Sequence, residues 1–543
     1  MAREWRSERS RRRAAGSPGR GVAGPRRGHR AAPGPPRRAA ARPESCPKAA
    51  TSAEGLPRRR HSATIGRVSR PQLAVHGHFY QPERRDPFSG EIAPQPAAAP
   101  YRDWNARIDA ECYKPNAERG NLRYISYDLG PTLASWLETN DAATHQGFVD
   151  SDAPLGVDDR DSGNAMAQSY HHAILPLASM ADRRTEIRWG LRDFDLRFGR
   201  RPTGIWLPET AVDLPTLRIL ADKKVEYTIL APWQAADSRL DTGRPYRVDL
   251  GGRRSIVVFF YDAALSASAS FESDATMNAD AFARDRILPR FSGPGFADGT
   301  PVTALIATDG ELYGHHQKFR DLFLARLVNP GPGTPDRGFD VTTVGQIVGG
   351  TPASALPVAR IAERTSWSCH HGVLRWTAEC PDAADGRWKG PLRAAFERLA
   401  SAIDVVAEAL AGDFMEPGAL WRARDEYVDV IFGAETLDEF ARRRLPLAKP
   451  EQRDRFLVLL EAERWRLAMF ASDGWFWDDP VRLETKHVML CAAKAVRLID
   501  VAAGTSLERR LVDDLSLLSS PSRRIDGAAI YAEALTAAGQ PLG

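Results

Sequence analysis

Two carboxylates follow short apolar runs that have the composition of buried strands. The run Thr203-Gly-Ile-Trp-Leu-Pro-Glu209 ends on Glu209, and the run Val302-Thr-Ala-Leu-Ile-Ala-Thr-Asp309 ends on Asp309. Such runs are typical of parallel strands, and α/β barrels carry their chemistry at the carboxyl ends of these strands. Two carboxylates that converge there suit glycoside cleavage, in which one acts as nucleophile or base and the other as acid. The pair makes an enzyme the first hypothesis.

Each carboxylate also has an ordinary structural interpretation. A glutamate such as Glu209 is typical of a helix N-terminus, where the helix dipole favours negative charge. The pair Asp309-Gly310 is common in turns. The two carboxylates are 100 positions apart, so they meet only in the folded protein. Their matching positions after strands favour a shared site, and a retaining pair would need carboxyl groups about 5–6 Å apart.

Polar side chains near both strand ends are candidate binding residues. His76 and His78 are two positions apart, so on a strand they face the same side. They could hydrogen-bond a sugar or hold a metal, and they could equally be core histidines. Glu311 and His315 follow Asp309 closely and are candidates for hydroxyl contacts or electrostatic support.

Three tryptophans, Trp206, Trp233 and Trp367, are predicted to lie near strand ends or in loops. Sugars present apolar C–H faces that stack on aromatic rings, so these residues suit a carbohydrate cleft. At least half of the thirteen tryptophans are expected to be ordinary core residues.

The elements that position these residues alternate between strands and helices. Strands are predicted near residues 73, 203, 226, 255 and 302, whereas residues 165–180 have apolar residues at helical spacing. Alternation of this kind indicates a parallel sheet, and a barrel fits better than an open sheet. No Gly-rich phosphate-binding motif follows a strand. Beyond Pro391 the pattern becomes a series of amphipathic helices, which predicts a helical domain packed on the barrel.

Residues 1–70 differ in charge from the rest of the chain. They hold 19 basic and 4 acidic residues, which leaves 55 basic and 66 acidic residues for the remainder. The acidic remainder argues against nucleic acid as a partner. The Arg-, Pro-, Gly- and Ala-rich segment lacks periodicity, so we expect it to be disordered. It is either a basic tail that binds polyanions or an upstream extension outside the native protein, and we favour the second.

We therefore divide the chain into a basic extension over residues 1–70, a catalytic β/α barrel over residues 71–390 and a helical domain over residues 391–543. An acidic loop is expected over residues 146–161. No uninterrupted apolar stretch has membrane-spanning length, so no membrane partner is predicted. Nothing in the sequence indicates an oligomeric state.

The five cysteines form no paired framework, which favours a reducing, cytoplasmic compartment. Cys369 and Cys380 could form a disulfide or half of a metal site. No CxxC motif and no histidine at ligand spacing supports either, so free thiols are expected. The neighbouring His370-His371 pair is interpreted as a surface or packing feature. Neither a metal nor a cofactor is predicted.

Several strings resemble glycoside hydrolase family 57. The string His76-Gly-His-Phe-Tyr-Gln-Pro82 is similar to the first signature of that family, with two extra residues before Gln81. Trp206-Leu-Pro-Glu209 resembles the signature that carries the nucleophile, and Asp309-Gly-Glu-Leu-Tyr-Gly314 resembles the one that carries the acid/base aspartate. The string Thr365-Ser-Trp-Ser-Cys369 resembles one found in the bacterial branch of this family that carries the DUF3536 domain. The resemblance covers about residues 71–470.

This resemblance implies a (β/α)7-type incomplete barrel with a helical C-terminal domain, and retaining chemistry on α-linked glucans without a metal. Members of the family hydrolyse, transfer or branch such chains, so an oligo- or polysaccharide substrate is expected. Glu209 would be the nucleophile and Asp309 the acid/base. Two alternatives stay open: a metal-dependent deacetylase or mannosidase-like barrel with an ion on Asp309, His76 and His78, and a non-catalytic glycan-binding protein.

Overall fold

The computed structural model describes residues 70–152, 163–237, 240–293, 295–296 and 298–541. The extension predicted over residues 1–70 lies outside the described residues, except for Arg70, as does most of the predicted acidic loop. The described beginning of that loop is helical, so the prediction is wrong there. Asp141 starts this helix by accepting a hydrogen bond from the backbone N–H of Thr144.

The described residues contain nine strands, which we number β1 to β9 in chain order. They are Gln72–Phe79, Ser126–Leu129, Ala165–Gln168, Ile205–Trp206, Tyr227–Leu230, Tyr246–Gly251, Arg254–Phe260, Thr303–Asp309 and Asp340–Thr342.

The strands form a curled, mainly parallel sheet. Strands β4, β3, β2, β1 and β8 are neighbours in that order, and β5 pairs in parallel with β7. A parallel bridge between Gly204 and Tyr227 joins the two groups. Just after β7, Asp262 donates its backbone N–H to the carbonyl of Leu305 in β8, at 2.8 Å. Seven parallel strands thus curl into an incomplete barrel, which confirms the predicted fold class.

Alternation along each strand separates the inside of the barrel from the outside. In β8, Leu305 and Ala307 belong to an inner apolar cluster, whereas Ala304 and Ile306 belong to the outer cluster that the helices cover. Since successive side chains point to opposite faces, Asp309 shares the inner face with Leu305 and Ala307. In β1 the same rule puts His76 and His78 on the inner face with Ala74.

The strands predicted near residues 73, 203, 226, 255 and 302 are present. The helix predicted over residues 165–180 is wrong. Its first part is strand β3, whose four residues are all buried between β2 and β4. A run of four buried residues is too short to have a period that separates a strand from a helix, and here the parallel neighbours decide.

Ten α-helices in the described part of the chain precede residue 389, and we number them α1 to α10. They are Trp104–Ile108, Lys114–Glu118, Pro131–Asn140, Ala142–Asp150, Met180–Phe198, Leu214–Asp222, Ala263–Phe271, Ala279–Phe282, Arg320–Val328 and Val344–Gly350.

The remaining helices, α11 to α19, form the helical C-terminal domain, whose apolar core also includes barrel residues such as Tyr170 and Trp189. They are Lys389–Ala411, Ala419–Arg424, Val428–Phe432, Leu437–Arg444, Pro450–Ala468, Asp473–Phe476, Leu483–Ala503, Leu507–Leu515 and Gly527–Ala537. None of the helices in the described ranges is long and apolar enough to cross a membrane.

A buried network of charges joins barrel helix α5 to the helical domain. Arg424 contacts Asp182 of α5 at 3.1 Å and Glu463 at 2.8 Å, while Arg466 contacts Asp182 and Asp404 at 2.6 Å each. Arg424, Glu463 and Arg466 are buried. Charges in such a place are tolerated only while they are paired, so the network ties the two parts of the molecule together.

Replacing Arg424 should therefore destabilise the whole protein. Arg424→Met keeps an apolar stem but leaves Glu463 and Asp182 without this partner, and we expect the free energy of unfolding to fall by about 3–5 kcal/mol. Denaturant titration followed by tryptophan fluorescence measures the change. The control is Arg442→Met, which removes an exposed 2.9 Å pair with Asp438 and should change stability little. Equal effects of the two variants would contradict the role of the network.

Candidate active site

Five strands bring polar and aromatic side chains to one end of the barrel. His78 of β1 lies in register with Asp128 of β2 on one side and with Asp309 of β8 on the other. Gln168 at the end of β3 lies in register with Trp206 of β4. The carboxyl ends of parallel strands meet at one edge, so these residues surround a single site.

Asp128, which the sequence analysis did not single out, organises the floor of this site. One of its oxygens is 3.0 Å from His76 Nε2, and the other is 2.8 Å from His78 Nδ1. Gln168 donates an amide hydrogen to the second oxygen at 2.8 Å. All four residues are buried, so the carboxylate has partners for its charge where water cannot supply them.

The charges on this floor are unequal. Burial lowers the pKa of His76, which favours the neutral ring. Burial also disfavours the His78 imidazolium, but the charge of Asp128 and its hydrogen bond outweigh that and raise the pKa of His78 to about 9. For Asp128, burial favours the neutral acid, yet His78 and His76 hold the pKa of this carboxyl below its usual range. At neutral pH the site has a cationic His78 next to an ionised Asp128.

The ring of Trp206 packs against both histidines. It stacks on His76 at a centroid distance of 4.5 Å and on His78 at 5.2 Å. Both Trp206 and His76 are fully buried, so neither offers a surface to a sugar. The expectation that they contact substrate is wrong: they position His78 and Trp367, and the Trp367 ring meets the Trp206 ring edge-on at 5.0 Å.

Glu209 lies in a strained turn directly after β4. Glu209 and Thr210 have φ of 55° and 47°, in the left-handed region that side chains with a Cβ rarely adopt. Such residues cost about 1–3 kcal/mol each and persist only when the surroundings hold them. Gln234 does so, because its amide donates to the Thr210 carbonyl at 2.8 Å and accepts from the Thr210 hydroxyl at 2.7 Å.

The segment around residue 367 holds the Glu209 carboxylate from the other side. Ser368 donates its hydroxyl to Glu209 Oε2 at 2.5 Å, and the Trp367 indole N–H donates to the same oxygen at 3.1 Å. The backbone N–H of Trp367 also donates to the Glu209 carbonyl at 3.0 Å. Both side-chain bonds fall on Oε2, so the arrangement orients the carboxylate while Oε1 remains unbonded to any described residue.

The charges of Glu209 and Asp309 affect each other. Burial raises the pKa of Glu209, and the charge of Asp309 adds to this, whereas the hydrogen bonds from Ser368 and Trp367 and the charge of His78 oppose it. Asp309 itself is exposed at the end of β8. The strand-end carboxylates predicted from the sequence thus lie at the same end of the barrel and within electrostatic reach of each other.

Glu311 is buried behind Asp309. The Tyr113 hydroxyl donates a short hydrogen bond to it, and the Gln81 amide lies 3.5 Å away. Burial, helped by the charge of Asp309, raises the pKa of Glu311 to about 7, although the Tyr113 hydrogen bond and the charge of His78 oppose the shift. Glu311 can therefore exchange a proton near neutral pH.

The hydrogen-bond partner of His315 is Glu111. The Nδ1 atom of His315 lies 2.6 Å from a carboxylate oxygen of Glu111, and the histidine ring meets Trp104 edge-on at 6.1 Å. Glu111 also pairs with Arg107 at 3.2 Å. The ring of His315 is thus held against the segment 104–111 by a polar contact and an aromatic contact. The charge of Asp309 acts instead on the next residue, His316.

Aromatic side chains line one side of the opening. Trp233 is 40% exposed and donates its indole N–H to the Ser366 carbonyl at 2.9 Å. Tyr261 lies between the rings of Trp233 and Trp367, with centroid distances of 6.1 and 6.4 Å. Trp233 and the half-buried Trp367 therefore lie on the same side of the site.

The helical domain also reaches the site. Tyr80 donates its hydroxyl to Asp473 at 2.6 Å and stacks on His172 at a centroid distance of 3.8 Å, while His172 Nδ1 is 2.7 Å from the Ser472 hydroxyl. Burial raises the pKa of Asp473 to about 7; the Tyr80 hydrogen bond opposes this shift, and the charge of Glu209 adds to it. Residues 472–473 thus belong to the surroundings of Glu209.

Sequence reasoning missed the residues that hold others in place. Asp128 is the third residue of a strand of only four, Ser-Tyr-Asp-Leu, and the local signal near it is the Gly130-Pro131 pair that starts the next helix. Ser368 stands in the string 365–369 that carried the family resemblance, which hinted at a site without assigning a role. Asp473 carries no local signal.

The alternative in which Asp309, His76 and His78 hold a divalent ion does not fit this arrangement. Within the described residues, the group of metal-ligating side chains whose donor atoms converge lies elsewhere, around Cys369.

The sequence matches two family models. Residues 158–330 match Glycosyl hydrolase family 57, and residues 385–540 match a domain of unknown function, DUF3536. No curated protein matches the sequence.

Solved structures share the fold at low identity. An exo-type maltose-forming amylase from Pyrococcus sp. ST04 is 14% identical with a TM-score of 0.63, over 86% of this chain and 88% of that one. A branching enzyme of the glycosyl hydrolase family 57 type from Pyrococcus horikoshii is 15% identical with a TM-score of 0.53, over 86% of this chain and 94% of that one. A further branching enzyme, from Thermococcus kodakaraensis, is 16% identical with a TM-score of 0.52, over 86% and 94%. The chain thus carries a glycosyl hydrolase family 57 match over residues 158–330 and a DUF3536 match over residues 385–540, and it shares the fold of these solved structures. The family match indicates an enzyme of the glycosidase and transglycosylase type.

Proposed function

We propose that the protein is a retaining glycoside hydrolase or transglycosylase that acts on α-linked glucans, with Glu209 as nucleophile and Asp309 as acid/base. The observation that carries the proposal is the oriented Glu209 carboxylate, bonded through Oε2 to Ser368 and Trp367 and coupled electrostatically to Asp309. The family match and the maltose-forming amylase and branching enzymes that share the fold support the substrate class.

The proposed enzyme uses both parts of the chain. We assign the chemistry to a barrel over residues 71–390 and a supporting role to the helical domain over residues 391–543. Asp473 and Ser472 of that domain contact Tyr80 and His172, which stack beside His78. This support fixes the aromatic and histidine side chains next to the nucleophile.

In the first step, Oε1 of Glu209 attacks the anomeric carbon and forms a covalent glycosyl-enzyme. The two donors on Oε2 hold the carboxylate plane, so little reorganisation is needed for attack. The buried surroundings strengthen every charge interaction there. Asp309 gives its proton to the leaving oxygen in the same step.

In the second step, Asp309 acts as a base. Its carboxylate takes a proton from water or from an acceptor sugar, whose oxygen then displaces Glu209. Glu209 carries no charge once it is bonded to the sugar, so it no longer repels the negative charge of the Asp309 carboxylate. Water as acceptor gives hydrolysis, and a sugar hydroxyl gives transfer or branching.

The remaining side chains would bind the glucan. Trp233 and Trp367 present ring surface beside Glu209 and suit the apolar faces of glucose units. We assign the cationic His78 and the buried Glu311 to bonding hydroxyl groups or stabilising charge. The charge of Asp309 raises the pKa of both groups, so all three lie within one electrostatic environment.

Separate changes of the two carboxylates test the roles. Glu209→Gln keeps the shape but removes the nucleophile, so turnover should fall by several orders of magnitude on every substrate. Asp309→Asn removes the proton donor and should abolish action on α-glucans. An aryl glycoside with a leaving group of low pKa needs little protonation, so it should still react in the first step, and added azide should restore turnover.

The unaltered enzyme provides the reference for this test. It is first assayed on α-glucans for new reducing ends, which report hydrolysis, and for altered chain length, which reports transfer, and then on the aryl glycoside. If Glu209→Gln stays active and azide does not rescue Asp309→Asn, the assigned roles are wrong.

Ser368→Ala should move the pH dependence in a defined direction. The Ser368 hydroxyl favours the ionised form of Glu209, so its loss raises the pKa of Glu209 further. Because the nucleophile must be ionised, the acid limb of kcat/KM against pH should shift to higher pH. Ser366→Ala, two positions away, is the control, since its hydroxyl bonds the Gly372 carbonyl instead. An unmoved acid limb in Ser368→Ala would count against Glu209 as the ionised nucleophile.

A further inference from the structure

Four potential metal ligands converge just beyond the residues that hold Glu209. They are Cys369, His371, Cys380 and Asp382, and their donor atoms all lie within 4.8 Å of one another. The two sulfurs are 3.4 Å apart, Cys380 Sγ is 3.5 Å from His371 Nδ1, and that nitrogen is 3.3 Å from Asp382 Oδ2. Two sulfurs, a nitrogen and an oxygen thus face one point.

These separations resemble the edges of a small tetrahedron. A zinc ion with Zn–S bonds of about 2.3 Å and Zn–N or Zn–O bonds of about 2.0 Å would have S···S edges of about 3.8 Å, S···N edges of about 3.5 Å and N···O edges of about 3.3 Å. The observed S···N and N···O distances match these edges, and the S···S distance is somewhat shorter. The remaining distances between the four donor atoms are within 4.8 Å.

Two tight backbone turns build the cluster. The N–H of Gly372 donates to the Cys369 carbonyl at 3.2 Å, and the N–H of Ala383 donates to the Cys380 carbonyl at 2.9 Å. Each turn therefore presents a cysteine at its first position and a second ligand at its third. Gly372 has φ of 79°, and a Cβ there would lie 2.4 Å from the Arg364 carbonyl oxygen, so the first turn requires glycine.

A third contact joins the two turns. The backbone N–H of His370 donates to Asp382 Oδ2 at 2.8 Å, and this is the same oxygen that lies 3.3 Å from His371 Nδ1. Support of this kind for a ligand carboxylate is typical of metal sites.

Burial and charge also suit a cation. Both cysteines are almost fully buried, whereas the His371 side chain is 42% exposed, which leaves a path for an ion to enter. Two thiolates, one carboxylate and a divalent ion together carry one negative charge. Lys389 is buried close by, its Nζ has no hydrogen-bond partner among the described residues, and the two cysteines attract its charge. An anionic centre would supply the partner that this buried ammonium lacks.

We propose that Cys369, His371, Cys380 and Asp382 bind one Zn²⁺ ion. Paired thiolates with an imidazole select a soft or borderline ion over calcium or magnesium, and four protein ligands make a closed, structural site. Binding releases two thiol protons to solvent and involves no oxidation or reduction. As the sequence analysis expected, Cys369 and Cys380 form no disulfide. That analysis did not connect the spacing Cys369-x-His371 with the spacing Cys380-x-Asp382, because the two segments meet only in the folded protein.

The ion would fix the segment that leads to the nucleophile. Cys369 directly follows Trp367 and Ser368, whose side chains bond Glu209. The zinc site is separate from the Glu209–Asp309 pair and takes no part in bond cleavage. Its existence does not depend on the catalytic roles proposed above, and metal content tests it without any activity measurement.

Zinc content of the purified full-length protein provides the test. Prepared without chelator and analysed by inductively coupled plasma mass spectrometry, the protein should hold about one zinc ion per chain. Cys369→Ser and His371→Ala should each lose most of this zinc. The matched control is Cys491→Ser, since Cys491 is equally buried and lies 3.5 Å from His487 but has no further ligand among the described residues. It should keep the full amount.

Two further measurements distinguish bound zinc from a disulfide and from a loss of folding. A chelator should lower the melting temperature of the unaltered protein but not that of His371→Ala, and circular dichroism should show that this variant, which lacks only a partly exposed side chain, is folded. After denaturation with chelator, thiol titration should find all five cysteines reduced. A protein that takes up no zinc in reducing buffer, that has a Cys369–Cys380 disulfide, or whose zinc survives both ligand substitutions would overturn the proposal.

Discussion

The buried carboxylate of Asp128 is the constraint on which the site depends. A charge at the inner face of the barrel must be matched by hydrogen bonds and an opposite charge, and His76, His78 and Gln168 supply them. These bonds fix both imidazole rings, and the rings in turn stack on Trp206. Because each partner is buried, none can turn away without leaving an unpaired polar group. The floor of the site is therefore rigid before any substrate arrives.

Above this floor, separate parts of the chain hold the nucleophile candidate. The strained turn at Glu209 is bonded by Trp367 and Ser368, and Trp367 rests on the floor through its edge-on contact with Trp206. The helical domain contributes Asp473, which bonds the tyrosine beside the site. The geometry around Glu209 thus depends on both the barrel and the helical domain, and the buried charge network joins these two parts.

The sequence was sufficient to predict the barrel, the helical domain and the placement of Glu209 and Asp309 after strands, because short apolar runs followed by a carboxylate have a recognisable local pattern. Asp128 and the strand at 165–168 were missed because four buried residues carry no period, so that only neighbouring strands define them. Sequence pattern also cannot distinguish a buried tryptophan from an exposed one, and Trp206 was misjudged for that reason. Contacts such as that of Ser368 with Glu209 join residues 159 positions apart and exist only in the fold.

The stereochemistry of the first product tests the central claim most directly. Proton NMR recorded during early turnover of an α-linked malto-oligosaccharide distinguishes the two anomers of the newly formed reducing end before they equilibrate. Attack by Glu209 followed by displacement of the covalent intermediate inverts the anomeric carbon twice, so the account predicts the α-anomer first. A β-anomer formed first would mean that water attacks directly, and it would contradict Glu209 as the nucleophile.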